Sequence, residues 1–415
     1  MAAEEFFIKE MPNGMTLLGQ RMPQVTSAAM TLLAPAGSSH DEAQAAGSAS
    51  VIAEWVLRGA GDRDTRMLND ELDSLGCQHS EHVNSEHMQF AAAQLGRNLP
   101  QVLAIYADIV RRPRLEDATF EPCRQLALQD LAALEDEPAQ KCNLMLRERF
   151  YPYPLGRSPY GTAETLAALT PEVVRRQAQV HFNPHGAILA VAGAFDWARL
   201  CEDVDKYFGA WTQPADKPVT ASPPARGALH VRKESAQVHI AMAHETAVAG
   251  DKRYYAARVA ETVLSGGMSG RLFTEVREKR GLVYNVGSRY HSLKGAAGMF
   301  TYAGTTPEKA QQTLDVTIGE LRRLGKGVTA DELSRARTQL KSALVLQGES
   351  TSARANALAG DWYHLRRLRS LAEISAAIDR TTVDDVLACV AQYPARRLTV
   401  LTIGPEPLNL DAIGD

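Results

Sequence analysis

One segment of the sequence, residues 266–284, contains side chains that can stabilise negative charge. It reads GGMSGRLFTEVREKRGLVY, and its Arg277 and Tyr284 are seven positions apart. A guanidinium and a phenol both donate hydrogen bonds, and donors held in place favour charge that develops during a reaction. From spacing alone, an arginine exposed on a helix and a tyrosine in the core of a strand fit equally well. The segment is therefore a candidate site whose chemistry depends on the rest of the chain.

A second group of potential ligands is rich in histidine. His79, His82 and His87 lie in 78–95, where apolar residues alternate toward the end and indicate a strand region. In a strand, His79 and His87 face one side and His82 the other, so the imidazoles do not converge. We interpret them as polar strand residues, with a metal site as the alternative. The following histidines have no ligand-like spacing: His181, His185, His230, His239, His244, His291 and His364.

Composition narrows the classes of protein to consider. The 415 residues are 45% hydrophobic and 23% charged, which is typical of two or three globular domains. A net charge of −4 gives no electrostatic case for nucleic-acid binding. The five cysteines lack a C-x-x-C pair, which argues against a disulfide framework and a cysteine zinc site. An acidic start without an apolar run predicts no signal peptide, so the expected location is cytoplasmic, with no contact with membranes.

Hydrophobic periodicity predicts the elements that must position these residues. In the first half it indicates a hairpin, strands and helices at 6–20, 27–35, 48–57, 64–75, 98–111, 117–134, 170–181 and 186–193. In the second half it indicates strands at 237–243, 281–292 and 298–304 and helices at 253–264, 307–324 and 330–347. The Pro-rich segment 212–227 has no periodicity and is the best linker.

The two halves repeat one another. A helix followed by a buried strand at 170–193 matches a similar unit at 381–404, and both Thr170 to Thr381 and Gly193 to Gly404 span 211 positions. A repeat at one offset on both sides of a linker indicates a duplicated domain. The clustering of strands and of helices favours an α+β fold. We therefore predict an N-terminal domain at 1–211, a linker at 212–227 and a C-terminal domain at 228–415.

With these features, nearly the whole chain resembles the pitrilysin/insulinase family of zinc peptidases. The family's most specific motif is H-x-x-E-H on a helix, in which two histidines bind zinc and the glutamate is the general base. A turn that follows this motif matches residues 58–60 here. Counting back from it places Ser50 and Glu54 at the histidine positions and Ala53 at the base. Counting forward by the family's spacing places Asp130 at the position of the third ligand.

The resemblance therefore implies the family scaffold without its metal site. A serine is a weak ligand, and two carboxylates suit a hard ion better than zinc. Ala53 cannot accept a proton, and loss of a general base costs on the order of 10²–10⁴ in rate. We predict no metal and no cofactor in this chain. A rebuilt metal site at Glu54, Asp130 and a histidine from 79–87 is the less favoured alternative.

The same resemblance assigns roles to the candidate site. Family enzymes use an arginine and a tyrosine, seven residues apart, to contact substrate and stabilise the oxyanion, and these positions match Arg277 and Tyr284. The family also has a strand at the position of 78–95 that pairs with extended substrate, with a supporting glutamate near Glu86. The implied fold is two homologous domains. Each is a mainly antiparallel sheet with helices on one face, and together they form half of a clamshell.

The expected function follows from the loss of the zinc motif together with the retention of Arg277 and Tyr284. Some bacterial family members are heterodimers in which one subunit carries the zinc motif and the other the arginine and tyrosine. This chain resembles the second kind, so we expect a zinc-free subunit that acts on unfolded peptide with a zinc-bearing partner. A homodimer in isolation is a further option. The alternative function is a structural or peptide-binding assembly subunit, as in mitochondrial processing peptidase and the cytochrome bc1 complex.

Overall fold

The computed structural model describes residues 4–216 and 218–411, which fold into two compact units. The first unit comprises the described residues up to Ala133, with Arg157–Ala221 and Gln347–Arg369. The second comprises Leu134–Gly156, Ser222–Leu346 and the described residues from Ser370 onward. Each unit therefore includes one segment that comes from the opposite half of the chain.

The strands follow one another along the chain as β1 Glu5–Glu10, β2 Thr16–Arg21, β3 Ser27–Ala34, β4 Gly59–Ala60, β5 Arg63–Asp64, β6 Gln78–Val83, β7 Met88–Leu95, β8 Ile188–Gly193, β9 Ala228–Arg232, β10 Val238–Glu245, β11 Val283–Ser292, β12 Ala297–Thr305 and β13 Thr399–Gly404. In the first unit the main sheet has the order β1-β2-β8-β3-β7-β6. In the second unit the order is β11-β12-β10-β13-β9. Pairing is antiparallel except for β2 with β8 and β13 with β9.

The helices are α1 Ser48–Trp55, α2 Thr65–Ser74, α3 Leu99–Arg111, α4 Asp117–Ala133, α5 Pro138–Phe150, α6 Ala163–Ala168, α7 Pro171–His181, α8 Trp197–Phe208, α9 Tyr254–Ser265, α10 Ala310–Arg323, α11 Ala330–Gly348, α12 Thr351–Leu365, α13 Leu371–Arg380 and α14 Val383–Gln392. Within the described part of the chain, no helix combines the length and the apolar character that crossing a bilayer requires.

In the first unit the sheet is covered on both faces. On one face, apolar residues of β3, β7 and β8 pack against α1, α3, α7 and α8 in the larger core. On the other face, Leu358 and Trp362 of α12 pack in a smaller core with Leu18, Leu33 and Ile188 of the sheet. Helix α12 belongs to the second half of the sequence, so this core is completed by a distant segment.

The second unit repeats this arrangement. One face of its sheet packs against α9, α10 and α14. The other face packs against α5, where Leu146 and Phe150 contact a core that includes Phe300, Leu401 and Ile403. Helix α5 belongs to the first half of the sequence. The two halves of the chain have therefore exchanged one helix each.

The internal repeat is visible in the strands. Ser27–Ala34 and Val238–Glu245 are 211 positions apart, as are Ile188–Gly193 and Thr399–Gly404. The compact units differ from the ranges 1–211 and 228–415 because of the exchanged helices. The physical reason is that β8 and β13 are buried along their whole length, which requires cover on both faces of each sheet.

Candidate functional site

Arg277 lies on a helical segment with an unusually wide turn. The helix starts at Arg271 and becomes π-helical over Phe273–Glu278. The amide of Lys279 accordingly bonds to the carbonyl of Thr274, five residues earlier, at 3.0 Å. The buried Leu272 and Val276 hold the segment in the core of the second unit. Such π-helical turns insert an extra residue and occur often at functional sites.

The start of this segment is fixed by a buried ion pair. The Arg271 side chain is 6% exposed, and its Nε and Nη2 donate to the two carboxylate oxygens of Glu332 at 2.6 and 2.8 Å. Its Nη2 also donates to the carbonyl of Gly327 at 2.7 Å. This charge-assisted, two-point contact holds the segment against α11. The hydrogen bond from Arg271 lowers the pKa of Glu332 to about 2.

The Arg277 side chain, by contrast, is exposed and keeps its donors available. Its guanidinium carbon lies 4.9 Å from the centre of the Phe273 ring. The two following cations, Lys279 and Arg280, donate to the carboxylate of Glu275 at 2.8 and 2.9 Å. Among the described residues, no carboxylate forms a salt bridge with Arg277. The positive charges of Lys279 and Arg280 are thus neutralised by Glu275, whereas that of Arg277 faces solvent.

Tyr284 is held on a rigid edge of the sheet. The chain turns at Gly281, whose φ of +57° favours glycine, and enters β11, the edge strand. Val283 pairs with Thr305 and Asn285 with Gly304, so Tyr284 lies in a β-bulge without a partner across the ladder. Bulges of this kind occur often beside active sites, where they redirect a side chain.

The Tyr284 side chain is 83% exposed. The alternative in which this tyrosine belongs to the core therefore does not apply. The π-helical segment packs against β11, and the amide of Leu282 bonds to the carbonyl of Val276 at 3.1 Å. The structure thus places Arg277 and Tyr284 on two contacting elements of one unit, both with exposed side chains. Two hydrogen-bond donors of this kind can serve an anionic group.

The helix at the position of the family's metal motif begins in an ordinary way. The Asp41 carboxylate accepts hydrogen bonds from the amides of Gly47 and Ala49 and from the hydroxyl of Ser48 at 2.9–3.1 Å. Burial raises the pKa of Asp41 to about 6, although these hydrogen bonds oppose the shift. These hydrogen bonds satisfy free amides at the start of α1, and the residues that would bind metal lie further along the same helix.

Those residues do not fit a zinc ion. The Ser50 hydroxyl donates to the carbonyl of Pro159 at 2.7 Å, and Ala53 packs against the core. The Glu54 carboxylate lies 3.6 Å from the guanidinium of Arg58. This positive charge lies where a metal ion bound to Glu54 would need space. Asp130 is exposed on α4. Across residues 4–216 and 218–411, no group of three potential ligands forms around Glu54 or Asp130.

Comparison with known proteins decides the family. The family model described as Insulinase (Peptidase family M16) matches residues 17–163, and the model described as Peptidase M16 inactive domain matches residues 168–340. The chain belongs to the insulinase family. This family member is 27% identical over 413 residues to an uncharacterized zinc protease of Rickettsia bellii, with 98% of this chain and 99% of the relative aligned. An uncharacterized zinc protease of Streptomyces coelicolor is 29% identical over 410 residues, with coverage of 95% and 88%.

Solved structures share the fold of this insulinase-family chain. The crystal structure of a peptidase M16 inactive domain from Pseudomonas fluorescens superimposes with a TM-score of 0.87 at 19% identity, covering 97% of this chain and 99% of that one. A protease from Helicobacter pylori gives 0.85 at 18% identity, with coverage of 97% and 100%. The predicted α+β fold of two related domains is therefore confirmed.

The histidine-rich segment of this insulinase-family chain is a hairpin rather than one strand. β6 and β7 pair antiparallel around a turn, so the single-strand alternation does not extend from His79 to His87. His79 and His82 are exposed on β6, and the His79 ring contacts Glu81 at 3.1 Å. His87 is buried and packs edge-on against Tyr363 at 4.3 Å. Within the described ranges, these three rings do not form a ligand group.

A different set of potential ligands was not predicted from the sequence. His40, His181 and Asp216 each offer one ligand atom, and these atoms all lie within 4.8 Å of one another in the first unit. Burial and the neighbouring His181 lower the pKa of His40 to about 4, and Asp216 partly opposes the shift. The three residues are 35 or more positions apart, so no local spacing signals the cluster.

Proposed function

We propose that this chain is the subunit of a heterodimeric insulinase-family peptidase that lacks the catalytic zinc site. It supplies Arg277 and Tyr284 in trans to a partner subunit that holds the zinc ion. The observation that carries the proposal is the exposure of Tyr284 at a bulge on an edge strand. A tyrosine in this position contributes little to its own fold, because burial of the ring is what stabilises a protein. Its placement is better explained by contact with another molecule.

The chemistry of the two side chains suits the tetrahedral intermediate of peptide hydrolysis. Negative charge develops on the carbonyl oxygen, and the Tyr284 hydroxyl can donate one hydrogen bond to it. The Arg277 guanidinium adds a permanent positive charge and donors for a peptide carbonyl or carboxylate. Both groups extend from elements that pack in the second unit and contact each other. Zinc held by the partner would polarise the same carbonyl. This chain would supply only hydrogen-bond donors.

The first unit offers a place for extended peptide. β6 is the edge strand of its sheet and pairs with β7, so its other edge is available to a further strand. An unfolded peptide can add to such an edge through main-chain hydrogen bonds, which do not depend on the peptide sequence. This mode suits a subunit that handles many unfolded peptides.

The experiment measures peptide hydrolysis by this chain, by a candidate zinc-bearing insulinase-family subunit from the same organism, and by their mixture. We expect activity in the mixture alone. Arg277→Ala and Tyr284→Phe should each lower kcat on the order of 10²–10³, the usual effect of removing one oxyanion donor. Arg280→Ala is the matched control, because it removes an exposed cation of the same segment that is already paired with Glu275.

Each contrary outcome has a distinct meaning. Activity of the partner alone at the level of the mixture contradicts catalysis in trans. Activity of this chain alone contradicts the interpretation of the lost metal site. Equal activity of the Arg277→Ala, Tyr284→Phe and Arg280→Ala mixtures favours the second candidate, an assembly subunit. An assembly subunit would use exposed side chains of this chain to bind its partner, and Met268, Val345 and Leu346 of the second unit are exposed apolar residues.

A further inference from the structure

Three side chains from distant parts of the sequence converge at the cluster of His40, His181 and Asp216. His40 ends a short turn after β3, His181 is the last residue of α7, and Asp216 lies near the start of the segment 212–227. Both imidazoles are 15% exposed and the carboxylate is 22% exposed. The group is thus largely removed from solvent, where a charge needs compensation.

The separations point to a shared cation. Nδ1 of His181 lies 2.7 Å from Oδ2 of Asp216, and Nδ1 of His40 lies 3.6 Å from the same oxygen. The second distance is too long for a hydrogen bond. Two ligand atoms that are each about 2.0–2.1 Å from one tetrahedral zinc ion lie about 3.3 Å apart. All three ligand atoms lie within 4.8 Å of one another, so side-chain shifts on the order of 1 Å would bring them to the separations of a tetrahedral site.

The hydrogen bonds of His181 strengthen this interpretation. Its Nε2 lies 2.8 Å from the amide oxygen of Gln177, which is buried, so Nε2 carries the proton that it donates. Its Nδ1 lies 2.7 Å from the carboxylate of Asp216, a contact in which Nδ1 carries either a proton or a metal ion. The opposite orientation of the Gln177 amide would instead give a plain hydrogen-bonded cluster.

We propose that His40, His181 and Asp216 bind one divalent first-row transition metal ion, with Zn²⁺ as the best fit. Two imidazoles and one carboxylate with a water molecule form a tetrahedral set that zinc prefers, whereas Ca²⁺ and Mg²⁺ favour oxygen ligands. Gln177 orients the His181 ring through its second nitrogen, as outer partners of metal-binding histidines do. The site lies outside α1 and α4, the helices that match the family's metal motif.

The bound ion would link the beginning of the 212–227 segment to the end of α7 and to the turn after β3. Asp216 is joined there to the end of α7, and the Asn183 amide donates to the carbonyl of Pro214 at 2.6 Å. A metal that binds the folded chain more tightly than the unfolded one stabilises the fold by mass action. The role is structural, and it does not depend on the proposed peptidase function.

The experiment titrates Zn²⁺ into the full chain after its metal has been removed with a chelator. We expect one equivalent to bind and Tm to rise with the Zn²⁺ concentration. His181→Ala and Asp216→Asn should abolish both effects, and Gln177→Ala should weaken binding on the order of 10- to 100-fold. His185→Ala is the matched control, because it removes an exposed imidazole four positions from His181 and should leave binding unchanged.

The Asp216→Asn variant keeps the test valid if His181→Ala does not fold, because an amide replaces a carboxylate of the same shape. Its Tm should not rise when Zn²⁺ is added. The absence of tight Zn²⁺ binding by the parent chain, or equal binding by the parent and Asp216→Asn, would overturn the proposal and leave a hydrogen-bonded cluster. These readouts do not involve peptide hydrolysis, so they can fail while the proposed function holds.

Discussion

At the scale of single residues, one helical segment uses two arginines in opposite ways. Arg271 is buried and paired with Glu332, so it positions the segment. Arg277, six residues further on, is exposed and contacts only the face of Phe273 among the charged and aromatic groups described. Replacing a cation that makes no contact needed for folding should change the free energy of unfolding little. This is the property expected of a side chain that binds another molecule.

The ion pair of Arg271 makes the stability of the fold depend on pH. The pKa of Glu332 is about 2 in the folded chain against an ordinary value of 4.5, so this carboxylate stabilises the fold fully above pH 4.5. That contribution, about 3 kcal/mol, is lost as pH falls from about 5 to 2. We expect Glu332→Gln to be less stable than the parent chain at pH 7 and the difference to shrink steadily toward pH 2.

Urea unfolding at several pH values measures this difference. Asp331→Asn is the control, because the neighbouring carboxylate is exposed at the start of α11 and should leave the pH dependence as it is in the parent chain. A Glu332→Gln effect of the same size at pH 3 and pH 7 would contradict the argument, since it would not arise from ionisation of the carboxyl group.

At the scale of elements, the exchanged helices matter most. α12 in the first unit and α5 in the second each cover the face of a sheet that the remaining helices leave bare. Leu358 of α12 and Leu146 and Phe150 of α5 are buried there. A sheet whose central strand is apolar on both sides is stable only when both sides are covered. The helices are therefore parts of the cores and not surface additions.

This packing predicts a large effect of truncating one side chain of α12. Leu358 is 1% exposed, and Leu358→Ala should lower the free energy of unfolding by about 2–5 kcal/mol, since it leaves a cavity against the sheet. Leu346→Ala on the preceding helix is the matched control, because Leu346 is 69% exposed, and it should change stability by less than about 0.5 kcal/mol. Denaturant unfolding of both variants provides the measurement, and equal effects would show that α12 adds little to the core.

At the scale of the whole molecule, the exchange of α5 and α12 makes the folding of each half of the sequence depend on the other half. Residues 134–156 belong to the second unit although they precede the 212–227 segment, and residues 347–369 belong to the first. Each half therefore contributes a helix to a core that lies in the other unit. Neither half of the sequence alone contains everything that its sheet requires.

Cleavage of the linker tests this directly. A protease site inserted between residues 218 and 221 should be cut without separating the fragments, because α5 and α12 remain packed in the opposite units. We expect the cut chain to elute as one species in size-exclusion chromatography and to unfold in one transition. The fragments 1–217 and 222–415 expressed separately should be insoluble, since each exposes one bare sheet face and one unpartnered helix. Soluble, cooperatively folding single fragments would contradict the exchange as a condition of stability.

The sequence by itself determined the type and order of most elements, the internal repeat of 211 positions and the loss of the zinc motif. These features depend on local signals. Apolar periodicity sets helices and strands, Thr170 and Pro171 mark the start of α7, and Ser50, Ala53 and Glu54 occupy positions that a family spacing defines. A pattern contained within a short stretch can be interpreted without knowing what packs on it.

The tertiary structure decided the rest, because it depends on which distant segments come into contact. The continuous apolar run of β8 indicates burial on both faces but does not name α12 as its cover. Tyr284 could have been core or surface until the bulge of β11 turned it outward. His40, His181 and Asp216 meet only because the turn after β3, the end of α7 and the 212–227 segment come to the same place. These three side chains lie 35 to 176 positions apart in the sequence. Residues so far apart have no signature in local spacing, and that is the physical reason why sequence alone could not predict their cluster.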